Sequence, residues 1–166
     1  MENNLAIKDM SFGYPEHGAI MDHMVAAIYQ YLKGSKCKVM REQKYHWEED
    51  EIETNRFPDI SILCDDNRRK ALAYIGTPRF IAEVISDSTE NIDRNEKMHL
   101  YEKIGVEEYW IMDWRKQTVE RYLLDDKGEK YILHDIINKD NKESLGLLCM
   151  PIIKLNFDEI FDLSNY

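Results

Sequence analysis

Glu83 stands inside Phe80-Ile81-Ala82-Glu83-Val84-Ile85, a run that is otherwise apolar. An isolated carboxylate is expensive to bury, so such a group must be protonated, paired or bound to a metal. Asp59 raises the same question at the mouth of a second run, Asp59-Ile60-Ser61-Ile62-Leu63-Cys64. Pro58 cannot donate a ladder hydrogen bond, which puts the start of that strand at Asp59. Further on, Asp93, Lys97, Leu100, Tyr101 and Ile104 fall on one face of a helix. Leu100, Tyr101 and Ile104 must face the core, so Lys97 and Asp93 lie on the buried side. A lysine there requires a carboxylate partner. The strand carrying Glu83 leads directly into this helix, so the two can meet over a sheet. Two carboxylates on neighbouring strands can hold a magnesium ion through oxygen ligands. Such an ion polarises a phosphodiester and helps ionise a water, while a lysine orients that water or offsets developing negative charge. The chemistry expected is metal-assisted phosphodiester hydrolysis. A second reading stays open for Asp93 and Lys97: an exposed i,i+4 pair stabilising the helix by roughly 0.3 kcal/mol.

The elements that must position these groups follow from periodicity. Both apolar runs are short and rich in β-branched residues, which predicts central strands buried on both faces. A first helix is expected from Pro15 to Lys33, with proline in its first turn and Gly34 as its stop. Ile20, Met24, Ala27, Ile28, Tyr31 and Leu32 form its apolar stripe, and His17 extends the stripe toward the helix start. A half-buried strand is expected over 37–47, then a polar hairpin loop or tip over 48–56. A basic loop broken by Gly and Pro should span 68–78. The helix carrying Lys97 is expected over 92–104, with Ser88 or Thr89 as cap and Gly105 as stop. Strands are expected at 109–113, 118–124 and 130–134, the last two flanking the hairpin signal Asp125-Asp126-Lys127-Gly128. A short strand at 152–155 and a helical turn at 157–161 close the chain. The order α-β-β-β-α-β-β-β gives one α/β (α+β) domain over residues 1–166.

Charge and composition bound the function. The 22 basic residues against 32 acidic ones leave a net charge of −10, so the chain has no broad basic coat for DNA. Nucleic acid would have to be met by a local patch or a bound cation. Arg68-Arg69-Lys70 could touch phosphates, although three basic residues in a loop are usually just solvated. No apolar run approaches 18 residues, and the opening MENNLAIKDM predicts no secretion signal. Cys37, Cys64 and Cys149 are odd in number and lack a CxxC pattern, so they read as unpaired buried residues in a reducing, cytoplasmic setting. His46, His99 and His134 lack metal-ligand spacing.

Four segments in order carry a resemblance. They are Phe57-Pro58-Asp59-Ile60-Ser61-Ile62, Phe80-Ile81-Ala82-Glu83-Val84-Ile85-Ser86, Asp93 through Lys97 to Tyr101, and Gly105-Val106-Glu107-Glu108-Tyr109-Trp110-Ile111-Met112-Asp113. Over about residues 11–163 the chain resembles the Uma-two restriction-endonuclease family, a branch of the PD-(D/E)XK nuclease superfamily. The resemblance implies a restriction-endonuclease-like mixed β-sheet flanked by helices. It implies a magnesium- or manganese-dependent endonuclease that cuts DNA, with a homodimer plausible because a duplex cut usually needs two sites. Asp59 and Glu83 would bind the ion, with the Val84 carbonyl as third protein ligand. The superfamily's lysine should stand two residues after Glu83, where this chain has Ile85; the resemblance implies that it has moved to Lys97. Asp93 and Tyr101 would support the site. His17 matches a histidine often found at that place, although a core histidine bonded to a backbone carbonyl is the plainer explanation. The rival reading is a non-catalytic binding or assembly module that kept the fold and lost the chemistry.

Overall fold

The two apolar runs lie side by side at the centre of a six-stranded sheet. The computed structural model describes residues 14–49, 52–64 and 68–166. The reading of residues 1–10 as lacking a secretion signal therefore lies outside the described residues. Helix α1 (Pro15–Leu32) leads into strands β1 (Lys38–Arg41), β2 (Tyr45–Glu49), β3 (Ile52–Arg56) and β4 (Ile60–Leu63). Two very short strands follow, β5 (Arg69–Lys70) and β6 (Ala73–Tyr74), then β7 (Phe80–Ile85). The next helical stretch, α2, has three pieces: α-helical Glu90–Ile92, π-helical Asp93–Lys97 and α-helical Met98–Ile104. Strands β8 (Glu108–Asp113), β9 (Thr118–Leu124) and β10 (Tyr131–Ile137) come next, and α3 (Phe157–Ile160) lies near the end.

The main sheet runs β1-β4-β7-β8-β9-β10, and β7 with β8 is its one parallel pair. A second sheet runs β3-β2-β6-β5. Alternation along the strands divides the core in two. Ile60, Ile62, Phe80, Ala82, Val84, Trp110 and Met112 pack with Ile20, Met24 and Ile28 of α1. Leu63, Ile81, Ile85, Tyr109 and Ile111 pack with Leu100 and Tyr101 of α2 and with Tyr45 and Trp47 of the second sheet. Every residue of β4, β7 and β8 is buried, which matches the expectation of strands covered on both faces. The α+β class, the mixed sheet and the flanking helices are as the sequence predicts.

Several local expectations need correction. The strand foreseen over 37–47 is two strands in different sheets, because Glu42 adopts a positive φ of 46° and turns the chain between them. The polar 48–56 stretch is largely strand, since β3 pairs with β2 from Tyr45↔Arg56 to Glu49↔Ile52. The 68–78 loop holds β5 and β6, which are too short to leave a periodic pattern. The strand foreseen over 152–155 is only an isolated bridge, Gly146↔Lys154. Tyr31, assigned to the apolar stripe, is exposed and its hydroxyl donates to the Lys154 carbonyl at 2.8 Å. Thr89 does not cap the helix with its side chain.

The cysteine reading is also overturned. Cys37 and Cys64 form a disulfide, with Cα atoms 4.0 Å apart, and only Cys149 is free. The register Lys38↔Leu63 sets the two cysteines opposite each other at the next position, 27 residues apart in sequence. Counting cysteines could not show that pairing. Glu108, buried at the start of β8, ties the C-terminal segment to the sheet. Its carboxylate accepts from the Trp110 indole at 2.6 Å and from the backbone N–H groups of Leu148 and Cys149 at 2.7 Å each. No helix among the described residues is long and apolar enough to cross a membrane.

Candidate active site

The strand register creates the first contact of the site. β4 and β7 pair as Ile60↔Ala82 and Ser61↔Ile81. One step further, Asp59 comes opposite Glu83, and the Asp59 N–H donates to Glu83 Oε2 at 3.3 Å. The two carboxylates then reach toward different layers. Asp59 Oδ2 accepts from the Val84 N–H at 2.8 Å and lies 3.1 Å from His17 Nε2 in the first turn of α1. The His17 ring also hydrogen-bonds the Val84 backbone. Glu83 faces α2. Its Oε1 accepts from the Tyr101 hydroxyl at 2.7 Å, and its Oε2 lies 3.1 Å from Lys97 Nζ. The same ammonium lies 2.9 Å from Asp93 Oδ1.

The π-helical segment sets the last two residues. Such segments widen the helix by an extra residue per turn and recur at functional sites. Here its end residues, Asp93 and Lys97, are both 1% exposed, while Asn95 and Glu96 between them face solvent. Glu83 is fully buried, Asp59 is 5% exposed and His17 is 4% exposed. Charges so deeply placed are tolerable only as a paired, hydrogen-bonded group. The sequence therefore located Asp59, Glu83, Lys97, Asp93, Tyr101, Val84 and His17 on elements that the fold brings together. The solvated i,i+4 reading of Asp93 and Lys97 is excluded by their burial. The His17 ring bonds the Val84 backbone, as the core reading has it, and also contacts Asp59.

Two contributors were missed. The Thr89 hydroxyl accepts from the Ser86 N–H at 3.2 Å and bonds the Asp93 carboxylate. The Tyr109 hydroxyl donates to the Asp93 carbonyl at 3.0 Å. Period-two alternation puts Tyr109 on the α2 face of β8, and that was the available signal. Arg69 and Lys70 form β5 of the second sheet, and Arg68 directly precedes it. Arg69 donates to the Tyr74 hydroxyl at 2.7 Å and lies over the Tyr74 ring, and Lys70 Nζ lies 3.2 Å from His46 Nε2.

Electrostatics set the three carboxylates apart. Burial alone would raise Asp59, but the His17 hydrogen bond and charge, with Lys97 behind, hold it below the usual range. Burial pushes Glu83 well above the usual range, and the neighbouring Asp59 and Asp93 add to the rise that Lys97 opposes. Burial raises Asp93 likewise, again against Lys97. Burial would lower His17, but the Asp59 carboxylate outweighs it and raises the ring. Glu83 and Asp93 thus flank the Lys97 ammonium, while Asp59 is paired with His17. Carboxylate oxygen donors of this kind would suit a hard divalent cation such as magnesium or manganese better than zinc. Among the described residues no three His, Cys, Asp or Glu side chains form a metal cage by themselves. An ion here would take two carboxylates, a backbone carbonyl and waters, and magnesium usually keeps several waters.

Residues 5–157 match the Uma2 family, described as "Putative restriction endonuclease". The uncharacterized protein slr1290 of Synechocystis sp. is 27% identical over 142 residues, which span 83% of this chain and 73% of that protein. The crystal structure of a "putative nuclease belonging to DUF820" from Anabaena variabilis superposes with a TM-score of 0.72 at 18% identity. The match covers 91% of this chain and 83% of that one. At that identity the likeness is one of fold.

Proposed function

Because the chain belongs to the Uma2 family, described as "Putative restriction endonuclease", we propose that it cuts phosphodiester bonds in DNA at a divalent-ion site built on Asp59, Glu83 and Lys97. The observation that carries this reading is the Lys97 ammonium, 1% exposed, seated between Glu83 and Asp93. Asp59, Glu83 and the Val84 carbonyl would hold the ion. Magnesium or manganese bound there supplies a Lewis acid for the scissile phosphate and a water of lowered pKa. Lys97 would aim that water or offset the charge that develops on the phosphate. Asp93 keeps the ammonium turned toward Glu83, and Tyr101 fixes the Glu83 carboxylate through its hydroxyl. His17 fixes Asp59 in the same way from the opposite layer. Ile85 belongs to the apolar cluster under α2, so the amine comes from the helix rather than from the strand. A cut through both strands calls for two such sites, which a homodimer would supply. The ion also offsets the acidity of a chain with net charge −10 where it meets a phosphate backbone.

Nicking of a supercoiled plasmid in magnesium tests the reading. Glu83→Gln keeps the shape of the side chain and removes its charge; Lys97→Met removes the amine. Each should slow nicking at least about 100-fold, in line with the loss of a charge-stabilising group, with the circular-dichroism spectrum unchanged. Nicking by Glu83→Gln at the unsubstituted rate would refute the assignment and favour a module that binds without cutting.

A further inference from the structure

One arginine stands beside the site and has no part in the chemistry derived so far. Arg41 is the last residue of β1 and pairs with Ile60, so it lies next to Asp59 across the sheet. The residue after it locks that placement. Glu42 turns the chain at a φ of 46°, and its N–H donates to the Asp59 carbonyl at 3.0 Å. The Glu42 carboxylate is near enough to His17 to help raise that ring above its ordinary value. Only β4 separates β1 from β7. Neighbouring strands lie about 4.8 Å apart, so the Arg41 backbone runs about 10 Å from the strand that carries Glu83.

The Arg41 side chain leaves the sheet on the α1 side, the side on which His17 meets Asp59. Its Nη1 donates to Asp22 Oδ1 of α1, and its Nε donates to Glu42 Oε2 at 3.2 Å. The remaining nitrogen, Nη2, lies beside Gly18, the residue after His17. A Cβ at Gly18 would come 3.7 Å from it. Glycine is a poor helix former, and here it puts no side chain over the guanidinium.

The two carboxylates hold the arginine loosely. The Arg41 side chain is 35% exposed, Asp22 61% and Glu42 35%. Ion pairs so exposed are screened by water and salt and add little to stability. A phosphate offers the same guanidinium two oxygens in the geometry that its fork matches. The exchange of a carboxylate for a phosphate therefore keeps the arginine paired at every stage.

We propose that Arg41 is a phosphate-contacting residue of this site: when DNA binds, its guanidinium leaves Asp22 and takes a phosphate that flanks the bond cut beside Asp59 and Glu83. The proposal rests on the nuclease reading and adds the side chain that holds the substrate strand there. The test is duplex binding by fluorescence anisotropy in EDTA across a salt series, which needs neither ion nor cutting. Arg41→Ala should weaken binding about fivefold whatever the sequence, and flatten the slope of log affinity against log salt by about 0.9. Asp22→Asn releases the guanidinium and should tighten binding about threefold, the scale of one exposed ion pair. In the Arg41→Ala background that gain should vanish. An arginine that only buttressed the fold would make both single substitutions act in the same direction. Unchanged binding by Arg41→Ala, weaker binding by Asp22→Asn, a gain that persists without the arginine, or no duplex binding by the unsubstituted chain would each overturn the contact. Nicking in magnesium alongside any of the first three would leave the nuclease reading standing. The expected order of affinities without nicking would fail that reading and leave Arg41 in place.

Discussion

Lys97 decides the account at the level of single residues. An ammonium 1% exposed, within 3.1 Å of Glu83 and 2.9 Å of Asp93, is held by ion pairs to both carboxylates. Removing one partner of a buried pair leaves the other desolvated and uncompensated, which costs about 3–5 kcal/mol. Lys97→Met should therefore lower the unfolding free energy in urea by about 3 kcal/mol at neutral pH. Adding Glu83→Gln to it should recover at least about 1 kcal/mol, because the two sites share one interaction. A loss below about 1 kcal/mol for Lys97→Met would show that the pair is not desolvated. The burial of Lys97 was legible in the sequence, since its place on the stripe of Leu100, Tyr101 and Ile104 forces it inward. The roles of Tyr109 and Thr89 were less legible. A tyrosine in a strand or a threonine before a helix fits many structures, and only the folded register brings each to Asp93.

At the level of elements, what could be read was what periodicity writes down. The β4 and β7 runs are short, nearly continuous and rich in β-branched residues, which suits strands covered on both faces. The second sheet left no such trace, because β5 and β6 are two residues each and β3 is polar. The π-helical piece of α2 is likewise silent, since Asp-Arg-Asn-Glu-Lys reads as ordinary helix. The outer strands make a separate prediction. The Arg121 hydrogen bonds hold Asp135 below its ordinary value of 3.8, against burial. The Arg94 hydrogen bonds hold Glu120 below its ordinary value of 4.5 in the same way. A depressed carboxylate contributes stability that is present above its ordinary value and is lost as pH falls through the folded value. The urea midpoint should therefore drop as pH is lowered from about 5 to 2, with each pair contributing less than about 1 kcal/mol. Asp135→Asn should show a shallower drop over that range. An unchanged slope in that variant would mean that the Arg121 contact does not matter to folding.

The sheet brings together groups from two layers. Asp59 reaches through β4 to His17 on α1, and Glu83 faces Lys97 and Tyr101 on α2. Neither helix alone holds the site, and neither strand alone brings both acids together. On the proposed reading, a cation bound at this internal carboxylate cluster would let an acidic chain meet an anionic substrate. The most direct measurement is anomalous diffraction from a crystal soaked in millimolar manganese. A single peak between the Asp59 and Glu83 carboxylates, absent from an Asp59→Asn crystal treated alike, is the predicted result. Density with no anomalous peak there, or a peak that survives in Asp59→Asn, would contradict the account.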